Sequence, residues 1–134
     1  MVSGLFNLLG IGEKPLAFRQ KRLYLKCHMN ARIRNTAREL KAGLESIYGQ
    51  RLEGVYVYGS YARGEQDSES DIDVLVILDK FDHYSSEVDR TSYLVSELSL
   101  KYEVSVSRVF VSQRAWSERR TPFLASVHEE VIPA

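Results

Sequence analysis

The sequence predicts a small α/β protein, a mixed β-sheet flanked by helices. Three observations carry that expectation. Two long segments repeat apolar residues at alternating four- and three-residue spacing, the stripe of an amphipathic helix. Three runs rich in β-branched and aromatic residues alternate with them. The central run, from Val74 to Leu78, is continuously apolar, which requires burial on both faces of a sheet. At 134 residues the chain has the length of one domain.

The elements follow in order. Ile33, Ala37, Leu40, Leu44 and Ile47 form the first helical stripe, and Gly49 is placed to cap its end. "LEGVYVYG" reads as a first strand ending near Gly59. Residues 60–70 are polar and glycine-containing, a loop with room for one short helix. "DIDVLVIL" is the second strand. Tyr84, Val88, Thr91, Val95, Leu98 and Tyr102 mark a second helix, with Asp82 positioned to cap its start. "VSVSRVFVS" from Val104 is the third strand. A helical turn around Ala115–Glu118 and a short helix from Pro122 complete the chain, proline suiting a first helical turn. No repeat, low-complexity tract or linker divides it.

Composition bounds the function. Hydrophobic residues make up 44% and charged residues 27%, an ordinary folded-protein balance, and the longest aliphatic run is far too short to span a membrane. The N-terminus lacks the basic region and cleavage site of a signal peptide, and the single Cys27 can form no internal disulfide. No Cys/His cluster has zinc spacing, so a reducing cytoplasm is the expected setting. Net charge is zero, which argues against bulk nucleic-acid binding. The charge is uneven, however. Residues 14–38 hold eight Lys or Arg and no acid, leaving ten basic residues against all 18 acids elsewhere. That segment reads either as an electrostatic docking surface or as a solvated helix face.

The chemistry concentrates in residues 59–76, "GSYARGEQDSESDIDVLV". Asp71 and Asp73 alternate at the mouth of a strand, so they project from one face. Paired carboxylates repel, and a cation between them removes that penalty. Such oxygen-rich pairs suit Mg²⁺, which keeps several waters and also binds substrate phosphates. Gly59 and Ser60 lie where a strand gives way to a loop or helix start, where backbone N–H groups and a hydroxyl can hold a phosphate. Arg63 can add positive charge to the same anion. If both strand ends serve one ligand, they must be adjacent, which makes strands one and two antiparallel. The long helix between strands two and three is the usual connection of parallel neighbours.

Gly-Ser, ten residues, then Asp-x-Asp is the signature of the DNA polymerase β-like nucleotidyltransferase superfamily. The fuller "GSYARGE" with "SDIDVLV" closely resembles the minimal nucleotidyltransferases, over roughly residues 30–112. The resemblance implies the polymerase β-like nucleotidyltransferase fold, with two Mg²⁺ ions held by Asp71 and Asp73 and ATP or another nucleoside triphosphate as substrate. It also implies that Gly59 and Ser60 hold phosphate while a hydroxyl attacks the α-phosphorus in line, expelling pyrophosphate. Catalytic relatives usually carry a third acid on a neighbouring strand. Here Glu103 reads either as the start of that strand or as a surface acid at the helix end, and Ser105, which shares its face, stands as the other occupant of the acidic position. Residues 1–28 have no counterpart and read either as a basic N-terminal extension or as the product of a start codon chosen too early, ahead of a nucleotidyltransferase domain at 29–134 that is expected to fold without them.

Many such stand-alone proteins resemble the antitoxin of a HEPN/MNT pair, which adenylylates a helical HEPN ribonuclease; that is the expected partner. A small-molecule transferase of the aminoglycoside type and a non-catalytic binding module are the alternatives. The remaining candidates read as structural. His28, His83 and His128 are expected on the surface, Trp116 as a packing anchor, and Tyr56 and Tyr58 in the core or on a sheet face. Tyr61 is expected to line the nucleotide pocket, and Glu65, Asp67 and Glu69 to be solvated.

Overall fold

A computed structural model describes residues 30–63 and 71–134, with the side chain of Arg63 outside the described part. Helix α1 spans Ala31–Tyr48, and the Asn30 side chain caps it by accepting from the Arg32 N–H at 2.8 Å. Gly49, at a φ of 57°, ends it and leads through a short 3-10 turn into strand β1, Leu52–Tyr58. Helix α2 is the single turn Ser60–Arg63, and β2 runs over Ile72–Leu78. Then come α3 at Tyr84–Tyr102, β3 at Val106–Ser112, α4 at Gln113–Glu118, α5 at Pro122–His128 and β4 at Ile132–Pro133.

The sheet order is β3-β2-β1-β4. As expected from a ligand shared by both strand ends, β1 and β2 are antiparallel, and as the long connecting helix predicts, β2 and β3 are parallel across α3. Strand β2 is central, and Val74 to Leu78 are all buried. Its alternation divides the protein into two layers. On the back face, Ile72, Val74, Val76 and Leu78 pack beneath α1 and α3, with Ile33, Leu40, Leu44, Val95 and Leu98 above them. On the front face, Leu75 and Ile77 pack with Trp116, Leu124 and Val127 from α4 and α5. Trp116 is the expected anchor, stacked on Tyr56 with ring centroids 5.9 Å apart.

Several expectations shift in detail. The α1 stripe closes on buried Tyr48 rather than Ile47, because 3.6 residues per turn carries the inward face one position further. Tyr48 donates its hydroxyl to the buried carboxylate of Glu87 at 2.6 Å, a polar pair inside the helix layer that apolar periodicity does not mark. His83, not Asp82, occupies the N-cap of α3, and its side chain makes no capping bond. Strand β3 starts at Val106 instead of Val104, since the Val104 N–H is still closing the helix end on the Ser99 carbonyl at 3.2 Å. Strand β4 was not expected, because two residues with a proline show no alternation; the Ala134 N–H nevertheless bonds the Val55 carbonyl at 3.0 Å. His128 is half-buried and stacked on Trp116 at 4.7 Å, not free on the surface.

Candidate functional site

The register of the sheet gathers the motif at one end of the front face. Asp73 is the second residue of β2 and has Leu75 and Ile77 as its same-face neighbours along the strand. Directly across from it stand Tyr58 on β1 and Ser107 on β3. Asp71 precedes the strand by one residue and is exposed, while Asp73 is half-buried. The Ile72 N–H bonds the Ser105 carbonyl at 2.9 Å, so the β2–β3 ladder continues to the strand mouth. Continuing that register one step sets Asp71 opposite Ser105.

Antiparallel pairing then brings the Gly-Ser corner to the same place. Gly59 follows the residue that pairs with Asp73, and its φ of 77° lies in the left-handed region where a side chain is unfavourable. A second constraint acts on it. A Cβ built at Gly59 would overlap Asp73 Oδ2, so the backbone approaches the carboxylate as closely as the chain allows. Ser60 starts α2 immediately after. Gly59, Ser60 and Asp73 are therefore one corner, joined by strand pairing rather than by sequence proximity.

Tyr58 belongs to this corner too. Burial first, then the negative charge of Asp73, pushes its hydroxyl above the usual tyrosine range. It stays protonated at neutral pH and can act as a donor. Phe123, at the start of α5, meets the Tyr58 ring edge-on at 5.6 Å. The sequence placed Tyr58 on a sheet face without assigning it to the site, and the neighbourhood of Phe123 required the tertiary fold.

The other expected residues fall as follows. Glu103 does not begin the third strand: the helix before it runs on to Tyr102, which leaves Glu103 exposed at the C-cap of α3, in the left-handed conformation at φ 51°, with its carbonyl accepting from Arg32 at 3.4 Å. Ser107, facing Asp73, lies in the strand proper. Tyr61 is buried in the back-face core, because the single turn of α2 folds it inward. The side chain of Arg63, the loop acids Glu65, Asp67 and Glu69, and residues 1–28 with His28 lie outside the described residues.

Among the described residues, no group of three or more His, Cys, Asp or Glu could hold a metal ion. Two carboxylates at an open strand end fit a hard cation that completes its shell from water and phosphate. The missing Cβ at Gly59 is what lets the Asp73 carboxylate lie directly against the backbone of that corner. No helix among the described residues is long and apolar enough to cross a membrane.

Comparison with known proteins agrees with this geometry. Residues 37–123 match the nucleotidyltransferase domain family. A candidate protein adenylyltransferase of Methanocaldococcus jannaschii is 35% identical over 72 residues, covering 54% of this chain and 72% of that one. A second from the same organism is 32% identical over 82 residues, covering 61% and 76% respectively. In fold, the chain is similar to the crystal structure of a candidate nucleotidyltransferase from Sulfolobus solfataricus. The TM-score is 0.54 over 92% of this chain and 89% of that one, at 18% identity.

Proposed function

This chain belongs to the minimal nucleotidyltransferases within the nucleotidyltransferase domain family, and from that membership we propose that it transfers AMP from ATP to a hydroxyl of a protein partner. The observation that carries this reading is the Gly59–Asp73 approach, where a carboxylate and a side-chain-free backbone corner meet at one point. Nucleotidyl transfer needs that juxtaposition, because the same triphosphate must touch both a phosphate cradle and the metal-binding acids. A protein acceptor is supported by the relatives, whose names specify protein adenylyltransferases.

In this reading Gly59 and Ser60 hold phosphate oxygens through backbone N–H and hydroxyl donors, and Arg63 adds charge. Asp71 and Asp73 hold Mg²⁺. When bound, the metal supplies charge neutralisation on the phosphates and on the attacking and leaving oxygens. Glu103, the acid that precedes Ser105 and β3 in the chain, takes the acceptor's proton. Its left-handed backbone is that of a helix C-cap and fixes it at the end of α3. The partner is a helical HEPN ribonuclease, with the basic stretch Lys14 to Arg38 assisting encounter in a salt-dependent way.

Co-expression with such a partner and intact-mass measurement tests the proposal. One or more AMP units on the partner, lost with Asp73→Asn, is the expected result. Asp71→Asn and Asp73→Asn should each abolish Mg²⁺-dependent ATP binding in calorimetry while the fold persists; binding equal to wild type by both would overturn the site assignment. Glu103→Gln should lower transfer by about a hundredfold with ATP binding retained.

A second reading has its own observation. Ser107 faces Asp73, and the register sets Ser105 opposite Asp71, where catalytic relatives place an acid. A module that binds nucleotide and partner without transfer would fit that substitution. A stable complex with no added mass, unaffected by Glu103→Gln, would decide for it.

A further inference from the structure

We infer that Phe123, backed by Tyr58, is the nucleobase subsite: the base of a bound nucleoside triphosphate stacks on the exposed ring of Phe123. This deepens the nucleotidyltransferase reading above and rests on it. Among the described residues, five large hydrophobic side chains are exposed: Ile47, Tyr84, Tyr93, Leu100 and Phe123. Four of them belong to α1 and α3, the helices of the back layer. Phe123 alone belongs to the front layer, and it touches the residue that pairs with Asp73.

Its exposure is built in. Thr121 caps α5 by accepting from the Leu124 N–H at 3.1 Å, and Pro122 fixes the first turn. Leu124 and Val127 are buried at 5% and 3% exposure, anchoring the helix on the sheet. Phe123 lies between the cap and the first anchor, 43% exposed, and its edge-on contact with Tyr58 at 79° braces the ring. A phenyl ring held in place and left partly open to water presents a flat apolar surface at low ordering cost. Such a ring suits the flat face of a base, whereas hydroxyls and phosphates gain nothing from it.

The placement suits the ligand. With the phosphates at Gly59 and Ser60, beside Asp73, Tyr58 is the next side chain along the front face and Phe123 the one beyond it. The triphosphate end and the base end of one nucleotide would then lie at successive positions of a single surface. Stacking on an aromatic ring tolerates any base, so this subsite confers affinity for nucleotides over bare polyphosphate, with preference for the larger purine face.

The test compares two ligands on the full chain. Mg²⁺-ATP and Mg²⁺-tripolyphosphate are titrated by calorimetry into wild type, Phe123→Ala, Phe123→Leu and Phe123→Trp. Phe123→Ala should raise the Kd for ATP about tenfold and leave tripolyphosphate unchanged. Phe123→Leu keeps apolar bulk for packing but has no aromatic face, and should follow the alanine variant. Phe123→Trp should restore ATP affinity. Equal effects on both ligands, or none on either, would overturn the subsite. So would unchanged ATP affinity with lost transfer to the protein partner, which would give the ring to the acceptor instead. Wild type binding neither ligand would remove the nucleotide reading itself, and the subsite with it.

Discussion

The two faces of the sheet are built from the same strands yet covered differently. On the back, helices of 18 and 19 residues run the length of the sheet, and every β2 side chain pointing that way is apolar and buried. On the front, helices of six and seven residues cover the middle around Leu75 and Ile77 and leave the Asp73 end with its polar neighbours. Strand alternation is the link. Ile72 and Val74 enter the back core because they are out of phase with Asp71 and Asp73 by one residue, so the fold's most protected residues adjoin its most chemically exposed ones. Rigidity behind and access in front are what a phosphate corner needs, since its groups must hold position without being sealed.

Breaking the back face should therefore unfold the protein, and breaking the front should alter binding first. The largest effect is expected from Leu44→Ala, which empties a fully buried position and should lower unfolding stability by about 2–5 kcal/mol in denaturant titration. Tyr48→Phe comes next. It removes the donor to buried Glu87 and should cost about 1–3 kcal/mol near neutral pH. This variant also has an alkaline signature. Burial, then the hydrogen bond to Glu87, raises the Tyr48 pKa above its ordinary 10.0. The folded state therefore holds that proton more tightly than the unfolded one. Its contribution is full below pH 10 and is lost progressively as pH rises above the unfolded value. Stability of the wild type should fall more steeply above pH 10 than that of Tyr48→Phe; parallel curves would remove the tyrosine from this role.

Gly59→Ala probes the front. Forcing a side chain into the left-handed region should cost about 1–2 kcal/mol, and the new Cβ must displace the Asp73 carboxylate. Nucleotide binding should be lost at temperatures where circular dichroism still shows a folded protein, and intact binding would mean that the corner is not the phosphate site. The smallest effect is expected at Leu100, 81% exposed on α3, where Leu100→Ser should stay within about 0.5 kcal/mol. Its neighbour Leu98, 5% exposed, sharpens the contrast: Leu98→Ala should approach the Leu44 value, because side matters more than residue type on one helix.

The elements that sequence determined by itself are those with a repeating physical signal. The stripes of Ile33 to Leu44 and Thr91 to Leu98 had to be helix faces, and the unbroken run after Asp73 had to be a central strand. The Gly-Ser and Asp-x-Asp motif was legible because its residues recur in one combination at one spacing, each common alone but not together. Features without a period escaped: the two-residue β4, the inward turn of Tyr61 and the Tyr48–Glu87 pair. Only the tertiary structure decided what surrounds the motif. Pairing register set Tyr58 and Ser107 beside Asp73, and the docking of α5 carried Phe123 to Tyr58 across 65 positions of chain. Periodicity is a local property of the backbone, whereas a site is made by long-range pairing, which reads every strand at once.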